Sequence, residues 1–370
     1  MKKALLPLLL VIPLVACSTP SSPVTNLKAE PQGHFTEAQI NYLTNNDPSN
    51  TSPYNGNMSV SKPLPISISW DKEENVEYTV NVHEGEAANR KLVVSYSVGN
   101  DNHFDFYNPI FNKDYYISVA KTDSKSTVEC EVIQVKESPT VKGPRNMYID
   151  GVENFRDLGG WGYIKQGMIY RSGRFNEDKE ETAKVSITDQ GRQEMNDHLK
   201  IRTEIDLRRT SNNEVGGLTD ASVIGDRVIY YQLPMAYGGN NILTFKGKLS
   251  GDAWEYDNPS EIKEFFKILA DEENYPINFH CSIGKDRTGC MAYLIEGLLG
   301  FDQETMYRDY MFTNFANAGM CKLTDITDRY GKTLDDYTGS NLQEKTYNYL
   351  RDEIGVATEY LDSVINILKL

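Results

Sequence analysis

Cys281 and Arg287, with five residues between them, are the two side chains of this chain best placed to do chemistry together. The stretch before them, Ile277-Asn278-Phe279-His280, reads as a short apolar strand. Residues 281–286 form a polar loop, and the run from Cys290 to Leu299 has helical spacing and ends at Gly300, a common helix terminator. A strand, a tight loop and a helix start make an anion site, because loop N–H groups and the helix dipole converge on one spot. A tetrahedral oxyanion could sit there above the Cys281 sulfur, with the Arg287 guanidinium gripping two of its oxygens. The same positive field is expected to lower the cysteine pKa and raise its thiolate fraction. The chemistry implied is nucleophilic attack by sulfur on an anionic centre.

This Cys-x5-Arg loop resembles the phosphate-binding loop of protein tyrosine phosphatases. The fuller string from His280 through Cys281, Gly284, Lys285, Asp286 and Arg287 to Thr288 and Gly289 resembles that of the bacterial atypical tyrosine/phosphoinositide phosphatases. Further matches occur in family order: Asn154 to Gly160 (NFRDLGG), Tyr170-Arg171-Ser172-Gly173, Ile205-Asp206-Leu207-Arg208, and Asp309-Tyr310 followed by Thr313-Asn314. The resemblance spans roughly residues 148–370.

It implies that Cys281 attacks phosphorus to form a cysteinyl-phosphate intermediate. Arg287 and the backbone N–H groups of Ser282, Ile283, Gly284, Lys285, Asp286 and Arg287 would hold the phosphate oxygens. Thr288 could hydrogen-bond the sulfur or simply start the helix; His280 reads as a packed, uncharged histidine. A phenolate leaves poorly unless protonated, so a general acid is needed, and there are two candidates. Asp286 lies in the loop, an arrangement that resembles myotubularins; Asp206 ends a strand, where it could act as the mobile-loop acid of other tyrosine phosphatases. The preference is for Asp286. Lys285 resembles the loop lysine of phosphoinositide phosphatases and would suit a multiply phosphorylated head group. Arg156, Asp157, Gly159 and Gly160 read as scaffold behind the loop, and Arg171 as a pocket support or an ion-pair partner.

The elements that position this loop belong to a chain of 370 residues, long enough for two domains. Its net charge of −15 argues against nucleic acid as a partner and requires a locally positive pocket for an anionic substrate. Met1-Lys2-Lys3 precedes an apolar run from Ala4 to Ala16, too short to span a bilayer and signal-like. Leu14-Val15-Ala16-Cys17 resembles a bacterial lipobox, which implies cleavage before Cys17, lipid on its sulfur, and an extracytoplasmic, membrane-anchored lipoprotein. The remaining cysteines, Cys130, Cys290 and Cys321, are scattered, with no disulfide framework and no metal-ligand spacing; no cofactor is expected.

Residues 18–62, rich in Ser, Thr, Pro and Asn, read as a flexible tether with a weak helical patch from Thr36 to Leu43 that need not dock on anything. Residues 63–136 switch to period two: Ile66, Ile68 and Trp70; Tyr78, Val80 and Val82; then Tyr115, Ile117 and Val119. Short strands at this spacing predict an all-β sandwich, and Trp70 with Tyr115-x-Ile117-x-Val119 resembles a fibronectin type III module. Residues 137–147 read as a linker to a catalytic domain over 148–370. There, helices expected at 187–199 and 261–270 alternate with strands at 203–207 and 228–233, which predicts an α/β fold with a mainly parallel sheet between helices. A Gly-, Asn- and Asp-rich stretch, 236–257, reads as an insertion bordering the site or a plain surface loop.

The fold class expected is therefore an α/β cysteine-phosphatase fold behind a small all-β sandwich. The function expected is hydrolysis of phosphate monoesters on phosphotyrosine or phosphoinositides. The competing readings are a phytase-type inositol polyphosphate phosphatase and a surface-anchored binding protein with a degenerate phosphatase domain. Intact Cys281, Asp286 and Arg287 weigh against the last.

Overall fold

The alternating stretches of the first third fold as strands because each offers one apolar row. The structure, a computed structural model, describes residues 24–51, 62–86, 88–122, 127–177, 185–209, 214, 219–237, 242–316 and 321–370. Strands β1 (Lys28–Pro31), β2 (Ile66–Ser69) and β5 (His103–Phe106) form one antiparallel sheet in the order β1-β2-β5. Strands β3 (Glu77–Glu84), β4 (Lys91–Gly99), β6 (Asp114–Thr122) and β7 (Thr127–Lys136) form a second in the order β4-β3-β6-β7. Ile66, Ile68, Trp70, Tyr78, Val80, Val82, Tyr115, Ile117 and Val119 all enter one buried cluster shared by the two sheets. Trp70 and Tyr115 are thus core residues.

The expected tether is partly folded. Val24 and Leu27 lie in that cluster and β1 pairs with β2, while α1 (Glu37–Leu43) begins with a capping box between Thr36 and Gln39. Tyr42 of α1 is buried in the core of the second unit beside Phe312 and Phe315. Asn314 Nδ2 donates to Thr51 Oγ at 2.6 Å, and Arg308 Nη2 to the Asn45 carbonyl at 2.6 Å. The polar composition hid this because the apolar side chains that become buried, Val24, Leu27 and Tyr42, find their partners far along the chain.

In the second unit a six-stranded sheet runs β12-β11-β15-β10-β9-β8. Its strands are β8 (Arg145–Asn146), β9 (Arg156–Asp157), β10 (Ile169–Ser172), β11 (Thr203–Asp206), β12 (Ile229–Gln232) and β15 (Ile277–His280). The pairs β12/β11, β11/β15 and β15/β10 are parallel, and β9 and β8 add antiparallel to one edge, so the sheet is mixed. β8 arises within the expected linker, where Arg145 pairs with Asp157 at 2.9 Å and donates to the Pro109 carbonyl at 3.0 Å. Between β12 and β15 a short hairpin, β13 (Lys246–Lys248) with β14 (Glu255–Asp257), occupies the insertion.

One face of the sheet is covered by α3 (Asn258–Leu269), α4 (Arg287–Leu299) and α5 (Gln303–Phe312), with two C-terminal helices, Leu342–Asp352 and Thr358–Leu368, packed behind. α4 is buried along its whole length, which explains a sequence apolar on all sides, and Gly300 caps it in the left-handed conformation. The other face carries a smaller cluster that includes Tyr170, Phe175, Met195 and Leu199. The helix expected over 187–199 is α2 (Asp189–Gln193) followed by a π turn, Glu194–His198. That wide turn presents Glu194 to the first unit, where its carboxylate accepts from Tyr96 Oη at 2.5 Å and Asn108 Nδ2 at 2.8 Å. The two units therefore meet through a buried polar contact as well as through the segment carrying α1.

The signal-like run 1–16, Cys17 and the remainder of the tether up to residue 23 lie outside the described residues, as does the Cys130 side chain. Among the described residues no helix is long and apolar enough to cross a membrane.

Candidate active site

Strand alternation decides which way the loop residues point. In β15, Ile277 and Phe279 face the α4 side with Cys281 next in the same row, whereas Asn278 and His280 face the opposite side. Cys281 is thereby delivered, 1% exposed, to the floor of the loop that joins β15 to α4.

Beyond it the backbone is held from outside. The Ser282 carbonyl accepts from Arg174 N at 3.1 Å and from its Nη1 at 3.0 Å. The Ile283 carbonyl accepts from Asn154 Nδ2 at 3.0 Å, and the Gly284 carbonyl from Arg171 Nη2 at 2.8 Å. In a trans peptide the N–H points opposite to the C=O. Pinning these three carbonyls to the scaffold therefore turns the N–H groups of Ile283, Gly284 and Lys285 the other way, into the loop. This is the donor array expected of an oxyanion cradle.

Gly284 is required for that path. Its φ is +71°, and a Cβ there would lie 2.5 Å from the Ser172 carbonyl oxygen and 2.8 Å from Asn154 Nδ2. Gly284→Ala should cost about 2 kcal/mol of stability or more through the left-handed strain and the backbone overlap, and should lower turnover more than it lowers the melting temperature's folded fraction at assay temperature. Thermal unfolding and phosphate release measured on one preparation check this.

Behind the cradle, Arg156 donates to Asn154 Oδ1 at 2.5 Å and to Asp309 Oδ1 at 2.8 Å, and Arg171 donates to the other Asp309 oxygen. Asp309 therefore clamps the two arginines whose further bonds hold the loop, directly through Arg171 and by way of Asn154 for Arg156. All four side chains are buried. Burial pushes the Asp309 carboxyl up, but Arg156 and Arg171 outweigh it and hold the acid ionised. Arg171 thus does both things expected of it. Asp157 does something else: its carboxylate accepts from Gly159 N at 2.7 Å and Gly167 N at 2.9 Å, fixing a turn, and pairs with Arg145.

At the helix end, both terminal nitrogens of Arg287 are engaged by Glu214, at 2.8 and 2.9 Å. Glu214 also accepts from Arg209 Nε at 3.1 Å. Burial works against the Arg287 charge, but Cys281 and Glu214 hold it well above the ordinary arginine value. Arg287 Nε is buried with no partner among the described residues. A buried unmade donor costs roughly 1–3 kcal/mol, and an anion oxygen in the cradle would satisfy it. Sequence reading missed Glu214, whose one signal is that it is the sole carboxylate between Arg209 and Thr219. The Thr288 hydroxyl is also buried without a partner among the described residues.

Asp286 is buried at the start of α4, yet its side chain makes no capping hydrogen bond there. Its carbonyl accepts from Tyr330 Oη at 2.9 Å. Lys285 does not project freely into solvent. Its Nζ lies 3.3 Å from Asp325 and its side chain is mostly covered. Burial disfavours its charge, but Cys321, Asp286 and Asp325 outweigh that and keep it cationic.

Asp206 is corrected. Its register partner is His280, so it lies on the sheet face opposite Cys281. Both oxygens accept from Arg208, and Tyr230 Oη adds a bond at 3.1 Å. Burial would raise its pKa, but the charges of His280 and Arg208 overcome this and hold it at about 2. A carboxyl ionised at every working pH and locked in an ion pair is not a mobile proton donor. His280 is fully buried, with Nε2 2.9 Å from Glu204 Oε1. Glu204, Asp206 and His280 bring their ligand atoms within 4.8 Å of one another, but Ser222, Arg208 and Tyr230 already occupy these carboxylates, which makes the trio a packing network. Cys281, Cys290 and Cys321 are free thiols, so Cys290 and Cys321 form no bridge. Burial pushes Cys290 well up and Cys321 to about 12, which leaves both unreactive at neutral pH.

Comparison with known proteins follows the same stretch of chain. The profile of a tyrosine phosphatase family matches residues 147–369. A Cupriavidus necator protein named as a tyrosine-protein phosphatase is 26% identical over 204 residues, covering 50% of this chain and 70% of the relative. Among solved structures, the core catalytic domain of the PP-IP phosphatase SIW14 from S. cerevisiae, in complex with citrate, is 16% identical, covers 52% of this chain and 87% of that one, and has a TM-score of 0.29. A second structure of the Siw14 catalytic core gives 18% identity and a TM-score of 0.28.

Proposed function

The chain belongs to the tyrosine phosphatase family and is a phosphatase, and from that premise we propose that it hydrolyses phosphotyrosine or phosphoinositide monoesters through a cysteinyl-phosphate on Cys281. The observation that carries the reading is the set of outward-pinned carbonyls at Ser282, Ile283 and Gly284, which turns a row of N–H donors inward between Cys281 and Arg287. The phosphate oxygens are held by those N–H groups and by Arg287, whose Nε has no partner among the described residues and whose terminal nitrogens are oriented by Glu214. The sulfur attacks phosphorus, the P–O bond to the leaving group breaks, and Asp286 protonates the departing oxygen. Water then cleaves the S–P bond and releases inorganic phosphate. Phosphate release by the wild type, and its loss in Cys281→Ser, tests this.

Lys285 extends the reading toward phosphoinositides. It is a charged point donor at the loop rim that can exchange Asp325 for a second phosphate. Lys285→Ala should spare phosphotyrosine turnover and lower phosphoinositide turnover about tenfold, the effect of one lost charge-assisted hydrogen bond. Equal loss on both substrates would reduce the lysine to a shaping role.

The all-β unit is proposed to be a fibronectin type III-like module, supported by its strand orders β1-β2-β5 and β4-β3-β6-β7 around one core. The mature protein is proposed to start at a lipidated, extracytoplasmic Cys17, on the strength of the apolar run that ends in Leu-Val-Ala-Cys. Because Val24 is already packed in the all-β core, the leash from Cys17 to Val24 can reach only about 25 Å when fully extended. Such an anchor would hold the enzyme against the bilayer. Cys17→Ala should move the protein from the detergent phase to the aqueous phase; continued detergent partitioning would place the anchor elsewhere.

A further inference from the structure

Residues 236–257 do more than fill a loop. Asn258, fully buried, donates to the carbonyls of Ala236 and Ile242 at 3.1 and 2.6 Å and accepts from Ala236 N at 2.8 Å, so the base of the insertion is clamped. Ile242 and Leu243 are buried in the core, and β13 pairs with β14. Asp252 organises the hairpin tip, accepting from Trp254 N at 3.2 Å and Tyr256 Oη at 2.8 Å. On this fixed frame two large rings face solvent: Tyr237 is 44% exposed and Trp254 52%.

Each ring is two residues from a group that touches the Arg287 network. Arg287 Nη1 lies 3.4 Å from the Met235 carbonyl, two residues before Tyr237. Asp252, two residues before Trp254, lies 3.6 Å from Arg209, which bonds the same Glu214 that orients Arg287. A separation of two residues spans at most about 7 Å along the chain. Tyr237 therefore follows within two residues of a carbonyl that Arg287 touches, and Trp254 is linked to the same arginine through Asp252, Arg209 and Glu214.

We propose that Tyr237 and Trp254 form a recognition wall for a phosphotyrosyl peptide, receiving an apolar or aromatic residue that flanks the phosphorylated one; this rests on the phosphatase reading above. Exposed Trp and Tyr on a rigid support are the side chains that most often dominate protein recognition. A lipid surface fits less well. The hairpin sets Asp252, Glu255 and Asp257 against only Lys246 and Lys248, so it has no basic face, and the chain's net charge of −15 opposes an anionic bilayer.

The test uses the full chain and four substrates: a phosphotyrosine peptide with leucine or phenylalanine flanks, the same peptide with glycine flanks, a small aryl phosphate, and phosphoinositide vesicles. Wild type should prefer the apolar-flanked peptide. Trp254→Ala and Tyr237→Ala should each raise KM for that peptide about five- to thirtyfold, the range of an interface anchor, and leave kcat and the other substrates unchanged. Equal loss on all substrates would mean that the hairpin only braces Glu214, and loss confined to vesicles would assign the wall to lipid; either overturns the proposal. A wild type that treats both peptides alike overturns it too, while leaving the phosphatase reading intact. Failure of that reading has a different signature, namely no Cys281-dependent turnover of any substrate.

Discussion

Cys281→Ser is expected to abolish phosphate release from phosphotyrosine, by on the order of 10⁴-fold or more, while leaving the fold and phosphate binding in place. A serine hydroxyl has no base to activate it among the contacts described for position 281, and an alcohol is a far weaker nucleophile than sulfur. Loss of a covalent nucleophile removes the whole two-step route, and measured losses of that kind are among the largest for a single residue. The substitution removes no carbonyl contact of the cradle and is nearly isosteric, so thermal unfolding should be unchanged. Because sulfur and guanidinium carry the chemistry, a chelator should leave wild-type activity as it was. Initial rates with and without chelator, for wild type and Cys281→Ser, decide the matter. Undiminished turnover in the variant would remove sulfur from the mechanism.

Asp286→Asn is expected to lower kcat on phosphotyrosine by ~10²–10⁴-fold, the usual contribution of a general acid. The loss should be much smaller on an activated aryl phosphate, whose leaving group departs without a proton. The physical basis is position. Asp286 adjoins Arg287 and is buried in the loop at the start of α4. Asp206→Asn should behave differently. It strands the buried Arg208 charge and should destabilise the fold by about 3–5 kcal/mol, with no leaving-group dependence. The sign of its pH linkage follows. The folded pKa of Asp206 lies below that of an ordinary aspartate, at about 2 against 3.8, so its stabilisation is present above 3.8 and is lost as pH falls toward 2. Asp206→Asn should lack that acid-range loss. If leaving-group dependence appeared in Asp206→Asn and not in Asp286→Asn, the proton donor would be Asp206.

What a reader of the sequence could see followed from local order. Ile277 to Gly289 announces strand, loop and helix start within one window, so Cys281 and Arg287 needed no tertiary information. The alternation of Ile66, Ile68, Tyr78, Val80, Val82, Ile117 and Val119 was enough to place each in one core, because a strand's side-chain period is two whatever it packs against. The same alternation, applied to Ile205-Asp206-Leu207, already sets Asp206 on the face opposite the apolar row. The acid-loop resemblance hid that implication.

Segments with weak local signals were misjudged. Residues 24–51 look like a tether because they are polar, yet Val24, Leu27 and Tyr42 are each buried against elements distant in sequence. In the π turn the Glu194 carboxylate meets Tyr96 and Asn108 of the other unit, and no helical periodicity encodes a partner 98 residues away.

The loop with its sulfur and its guanidinium was legible from local order alone, since the groups that define it are neighbours along the chain and their geometry follows from strand, turn and helix start. How that loop is held in place is a matter of tertiary packing alone. Asp309 reaches Arg156 and Arg171 across 153 and 138 residues, and Glu214 reaches Arg287 across 73. Such pairs have no local signature. They form because a buried charge must find its counter-charge wherever folding brings one close, and that is settled by packing rather than by spacing along the chain.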